Sequence, residues 1–570
     1  MKRILLSATL MLALSFAAFW AVGQMEQSQK QQLPSLMPTG ALLFIEAKDF
    51  SSLLSDWNRS NEKRAWLAGD DYQEFSRSRL FGRLSQAQDE FSSAAGIRTD
   101  DALLNSVAGT QSCLAVYDIG NLEFLYVTRM SQHDAESTPL WQIRAKFEQR
   151  SEGSSQFYVR QDPQSKRVAA FAATNGWLIL GTREDLVATV LDHLQSSAGR
   201  SLADEAWYAD SVKQASNAPC DLRMVLNLGK LVPSPYFRSY WIQQNITEMK
   251  QYSSAISDLY RSAQSYREER VLLRKPGVSS SISGDVSTLA ALAPPDADFY
   301  SARAVSDPEI VLMALRDSLI EMKPSTPVQQ WNAPPPPTET NAGSAAMLDV
   351  RIDQAPVIVP QSDPFNSLRA LLRTTQPEQM LQVGSTIHSQ NSNFVRIESG
   401  FVLLAAQSWD AKDVQQALSA ALRPDLTVGQ MGTGWIESSG NSGSYYALDG
   451  RVPVYFAVRG DRIYLTNSSA LLERMLAIQP DATTAQQAGI TYTAAFHHSE
   501  VDQQNFARLF KTLDWPGNVP EPNAGNQAPP FLSGNVESLS RMFGDTERET
   551  VVERDQGTKV LQTVSYDWEH

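Results

Sequence analysis

A chain of 570 residues is too long for one ordinary hydrophobic core and suits two domains of about 250 residues each. With 42% hydrophobic and 20% charged residues, it is neither an intrinsically disordered nor a multi-spanning membrane chain. A formal charge of −14 without any basic run disfavours phosphate backbones and anionic lipid surfaces as partners, and nucleic-acid binding is excluded on that ground.

Lys2 and Arg3 precede an apolar run from Ile4 to Gly23 that ends in Ala21-Val22-Gly23, so residues 1–23 read as a signal peptide or an N-terminal membrane anchor. The small residues permit cleavage before Gln24, and the near-spanning length equally permits an uncleaved anchor. Either way the bulk of the chain is extracytoplasmic, periplasmic or held at the inner membrane. Residues 24–35 follow as a polar tether.

Two halves then repeat one order of elements. In the first (36–290), Ala41 to Ala47 is a strand and Asp49 caps a helix. In the second (291–570), Asp298 to Ala304 is the strand and Asp307-Pro308 opens the helix. The amphipathic stretch Arg77 to Phe91 corresponds to Asp363–Thr375. Strands Leu114 to Tyr117 and Leu122 to Thr128 correspond to Phe394–Ile397 and Phe401–Ala406. The best match is a hairpin and helix. Val168 to Ala173 and Val454 to Val458 run into the turns Asn175-Gly176 and Gly460-Asp461, a second strand follows, and Thr182 or Asn467 caps a helix. Phe171 aligns with Phe456, and Leu180 with Leu465. Each half closes on a strand, Arg267 to Gly277 or Glu547 to Gly557. A Pro-rich linker at 323–361 and a loop at 516–530 are insertions. Short hairpin turns argue for antiparallel pairing, so the expected fold is α+β, with two tandem homologous domains, each a mainly antiparallel sheet with packed helices.

The segments MPTGALLFIEAKDFSSLL, LAVYDIGNLEFLYVTR and DLRMVLNL, together with the hairpin and helix, resemble an uncharacterised bacterial family of exported proteins known only as a domain of unknown function. The resemblance covers most of residues 36–570. It implies the architecture and an exported location, and no catalytic or binding residue.

Chemistry-bearing motifs are sparse. There is no Gly-x-Ser-x-Gly elbow, phosphate loop, HExxH or CxxC, and nothing calls for a cofactor. His497-His498-Ser499-Glu500 resembles a metal cluster, yet adjacent histidines on a strand face opposite ways, and no metal site is expected. Cys113 and Cys220 are the only cysteines; an oxidising compartment permits a disulfide, and spacing leaves the pairing open. After Ser234-Pro235, Tyr236, Phe237, Tyr240 and Trp241 share one helical face. That stripe either docks the helix on its own sheet or forms a partner surface. The expected function is a non-enzymatic envelope module that binds another envelope protein or an apolar ligand. The alternative is an exported hydrolase whose active site is dispersed in sequence.

Overall fold

The computed structural model describes residues 32–60, 63–64, 67, 70–196, 199–240, 249–262, 264–278, 284–320, 363–388, 395–426, 434–448, 453–479, 489–497 and 546–568. The leader, the Pro-rich linker and the 516–530 loop lie outside these residues. Strands in chain order are β1 (Leu43–Ala47), β2 (Ser112–Asp118), β3 (Glu123–Arg129), β4 (Glu148–Glu152), β5 (Ser155–Gln161), β6 (Val168–Thr174) and β7 (Trp177–Gly181). They continue as β8 (Leu222–Leu226), β9 (Tyr252–Arg261), β10 (Ser265–Arg274), β11 (Phe299–Ala304), β12 (Pro377–His388), β13 (Val395–Ala405) and β14 (Ile436–Gly440). The last are β15 (Gly443–Leu448), β16 (Val454–Arg459), β17 (Arg462–Thr466), β18 (Tyr492–His497), β19 (Thr546–Asp555) and β20 (Lys559–Trp568).

The fold is α+β, with helices packed on extensive antiparallel sheet. The chain divides into two compact units, one comprising Met1–Ser279, Pro529–Thr546 and Gln556–His570, the other Ser280–Ala528 and Glu547–Asp555. Sequence reading places one boundary at 290/291; the compact division falls at 279/280 and returns β20 to the first unit.

In the first unit the neighbours run β4-β5-β6-β7-β3-β2-β1-β8-β9-β10-β20, every pair antiparallel. In the second they run β14-β15-β16-β17-β13-β12-β11-β18-β19, again all antiparallel. The order of neighbours is the same from β4 to β9 as from β14 to β19.

Successive strand residues face opposite sides, so each sheet has two faces to bury. In the first unit Phe44, Ala115, Leu125, Val127 and Ile179 pack beneath the helices Glu184–Gln195 and Ala206–Gln214. On the other face Phe171, Leu178 and Leu180 pack with residues of the helices Arg79–Ala95 and Pro139–Gln142. In the second unit Phe401, Leu403, Phe456 and Leu465 pack beneath helices Pro308–Leu315, Asn366–Thr375 and Ala411–Leu426. Phe171 pairs across the sheet with Tyr158 and Leu180, and Phe456 with Tyr446 and Leu465. Their rings stack alike: Tyr158 on Phe171 at 5.1 Å and 24°, Tyr446 on Phe456 at 5.0 Å and 25°.

Turn and cap chemistry explains the local structure. Asn175 (φ 52°) and Gly176 (φ 77°) both take the left-handed conformation a type I′ hairpin requires, whereas in the second hairpin only Gly460 (φ 64°) does, as in type II′. Asp49 accepts from the Ser52 N–H at 3.0 Å and Asp307 from the Glu309 N–H at 2.9 Å, both as expected of caps.

Several expectations are corrected. Thr182 and Asn467 are not helix caps; the N-caps are Arg183 and Ser468. Thr182 instead accepts from the Phe124 N–H at 2.9 Å, and Asn467 from the Ser399 N–H at 2.9 Å, tying the ends of β7 and β17 to β3 and β13. The two strands expected at Phe394–Ile397 and Phe401–Ala406 are one over their described residues, Phe394 lying outside these. β13 runs unbroken through Ser399-Gly400, and the counterpart of β2 in strand order is β12. Gly400 lies mid-strand against Met475 and Leu471, and a Cβ there would meet Met475 Sδ at 2.9 Å, so that side chain would have to shift. β19 stands in the order where β9 does, so its match to β10 was one strand out. The tether is folded at its end: Leu33 and Leu36 of the short helix Leu33–Leu36 are fully buried, and His193 Nδ1 lies 3.0 Å from the Leu36 carbonyl oxygen.

Candidate functional site: an apolar cavity in the first unit

β1, β2 and β3 are apolar at most positions on both faces, a pattern normal for strands covered on both sides. One face is covered by the helices Glu184–Gln195 and Ala206–Gln214. On the other, Ile45, Leu114, Val116, Phe124 and Leu222 are only half buried. Above them lies a cavity of about 620 Å³. Helix Arg79–Ala95 walls it with Leu84, Ala87, Gln88 and Phe91, which share a face at i, i+3, i+4 and i+7. Helix Asp101–Val107 adds Leu103, Leu104 and Val107, and helix Phe50–Arg59 adds Phe50. Leu84 and Leu104 remain 43% and 41% exposed, so apolar surface continues to the rim.

The walls are held by local hydrogen bonds. Ser78 caps Arg79–Ala95 at one end; at the other, Gly96 closes it in the left-handed conformation (φ 72°) and Arg160 Nη1 donates to the Ser93 and Ala94 carbonyls at 2.8 Å each. Asp100 accepts from the Ala102 and Leu103 N–H groups at 3.1 Å, capping Asp101–Val107. Tyr126 donates its hydroxyl to the Val107 carbonyl at 3.0 Å, joining that helix to the floor.

Beside the cavity stands a charged triad. Glu90 accepts from Arg167 Nε at 3.1 Å and from Arg83 Nη1 at 3.3 Å, with side chains 20%, 10% and 16% exposed. Burial pushes the Glu90 carboxyl up, but the two guanidinium groups outweigh it and hold it below the usual carboxylate range. Arg167 is the one cationic side chain among the described residues of the cavity wall.

The second unit differs where it counts. Sheet registers place Ser301, Gln382, Gly384 and Ser399 at the positions that Ile45, Leu114, Val116 and Phe124 occupy in the first. Gln382 is committed to a hydrogen bond with Ser318 Oγ at 3.2 Å. At these four positions, among the described residues, the first unit is apolar and the second is polar or small.

The residues singled out from the sequence fall elsewhere. Tyr236 is 51% exposed on the short helix Pro235–Tyr240 and lies over Gly120, where a Cβ would meet its ring at 2.4 Å. Phe237 is half buried and packs with Leu228, Val232 and Tyr252. The side chain of Tyr240 and all of Trp241 lie outside the described residues.

Cys113 and Cys220 are both free thiols. β1 runs between the strands that carry or follow them, with Cys113 opposite Glu46 and Glu46 opposite Arg223. Two strand spacings, about 9.5 Å, already exceed bridging distance. Burial raises the Cys113 thiol far above its ordinary value, and burial raises Cys220 to about 11. Cys220 Sγ approaches Asp258 Oδ1 at 3.6 Å, within a buried cluster where Arg223 holds Asp258 through two bonds of 2.7 Å. Glu46 borders that cluster, and desolvation raises its carboxyl despite the opposing charge of Arg223.

No group of His, Cys, Asp and Glu suited to a metal ion is present among the described residues. No described helix is long and apolar enough to cross a membrane. The cavity has one signal in the sequence: strands apolar on both faces beside a helix whose apolar stripe includes Leu84.

No protein-family model matches the chain, and no curated protein does. The solved structure of TP0453 in crystal form I is similar over 44% of this chain and 81% of its own, with 8% identity and a TM-score of 0.25. At that score the likeness carries no argument.

Proposed function

We propose that the protein is a non-enzymatic, exported binding module whose first unit takes up one apolar small molecule. The observation that supports this is the cavity of about 620 Å³ over Ile45, Leu114, Val116 and Phe124. Its volume falls inside the range of roughly 300–1,000 Å³ typical of small-molecule sites, and its lining is mostly aliphatic and aromatic. A floor left unfilled forgoes packing energy that a ligand would restore. The positively charged residues ahead of the apolar leader favour an extracytoplasmic location, at the inner membrane or in the periplasm.

The two units are read as diverged copies of one domain. Identical strand order, the stacked Phe171 and Phe456, and the side-chain ties made by Thr182 and Asn467 support that reading. On it, one copy kept an apolar hollow and the other filled the same positions with polar or small residues.

The test is titration with the neutral fluorophore N-phenyl-1-naphthylamine. Wild type should enhance its emission saturably, and Leu114→Trp, which fills the floor, should abolish the enhancement while leaving the melting temperature within a few degrees. Unchanged binding by a folded Leu114→Trp variant would sink the proposal.

A further inference from the structure

Resting on the cavity reading, the geometry points to a more specific ligand: a single-tailed amphiphile with an anionic head, its head at Arg167 and its tail lying across the sheet. The cavity is long enough for such a tail. Its floor runs from Leu180 on β7 through β3, β2 and β1 to Leu222 on β8, four strand spacings or about 19 Å. Along the strands its lining runs from the level of Ser112, opposite Thr128, past Phe124 to Leu122, about 20 Å. Either span holds one extended hydrocarbon chain.

The two ends differ in charge. β7 is followed in the sheet by β6, and Arg167 immediately precedes β6, so the cation stands beyond the Leu180 end. Phe50 and Ala47 line the wall toward the other. Arg83 and Arg167 share the one carboxylate of Glu90, which leaves the triad with one net positive charge in a largely buried place. A buried charge of that kind is stabilised by an anion brought to it, here one delivered by the ligand. The acidic wall residues do not compete for Arg167: Asp100 is engaged in capping its helix and Asp101 faces Lys63 at 3.8 Å. A carboxylate and a phosphate monoester present the same anionic oxygens to a guanidinium, so a free fatty acid and a lysophosphatidic acid are two sources of one chemistry.

The experiment displaces N-phenyl-1-naphthylamine from the full chain with four ligands of equal tail length: palmitate, palmitoyl lysophosphatidic acid, hexadecanol and hexadecyltrimethylammonium. A charge-assisted hydrogen bond predicts that one or both anions bind roughly 10- to 100-fold tighter than the alcohol, and the cation weakest. Arg167→Gln should erase the preference and Arg167→Lys should retain part of it. Which anion wins names the source. Equal affinity for palmitate and hexadecanol in wild type would overturn the inference while leaving the apolar site intact. Failure of all four to displace the fluorophore would overturn both. The wild-type ranking decides even where Arg167→Gln does not fold.

Discussion

Truncating Phe171 and Phe456 tests the equivalence of the two units. Each ring is essentially inaccessible, at 1% and 0% exposure, and each stacks on a tyrosine of the neighbouring strand. Each also receives a tryptophan edge-on, Trp141 at 6.4 Å and Trp435 at 5.0 Å. Loss of transfer free energy and creation of a cavity put Phe→Ala at about 3–5 kcal/mol. Aromatic pairs add about 0.5–1.5 kcal/mol apiece. Phe171 has a further edge-on partner in Phe147 at 5.1 Å, so it belongs at the top of the range and Phe456 slightly below. Urea unfolding followed by circular dichroism should show both losses. Ile436→Ala, at a position 61% exposed, is the control and should change stability by about 0.5 kcal/mol or less. A cost below about 1 kcal/mol for one phenylalanine, alongside the full cost for the other, would refute the claim that they do the same job.

Two further outcomes follow from the buried titratable groups. Because desolvation raises the Glu46 carboxyl, the unfolded chain releases that proton first, and stability falls as pH rises from the ordinary glutamate value through the raised one. Glu46→Gln should therefore gain stability relative to wild type as pH rises above the ordinary glutamate range in urea melts; an offset independent of pH would contradict the assignment. Thiol labelling of denatured, unreduced protein should report both Cys113 and Cys220, and in the native state Cys113 should react far more slowly; an absence of reactive thiols after denaturation would contradict the strand register.

Much of the scaffold was legible because its signals are local. Asn175-Gly176, Gly460 and the caps at Asp49 and Asp307 act through backbone conformation and neighbouring N–H groups, which three or four residues specify. The errors occurred where tertiary packing overrides local preference. Gly400 continues β13 against the Met475 side chain of a helix much later in the sequence, and Thr182 and Asn467 bond a neighbouring strand rather than their own helix. The cavity was less legible still. Leu114 and Val116 read as core from their pattern, and only the placement of three helices above them decides that their floor is left hollow. Pairing of Arg167 with Glu90 spans 77 positions in sequence, beyond the reach of any spacing rule.

The central claim, one apolar ligand held by the first unit, is tested most directly by native mass spectrometry of the full chain titrated with palmitate. The account predicts a single added equivalent at saturation, lost on Val116→Trp in the floor and retained on Ser301→Val in the second unit. Two saturable equivalents per chain, or one that survives a folded Val116→Trp variant, would contradict it.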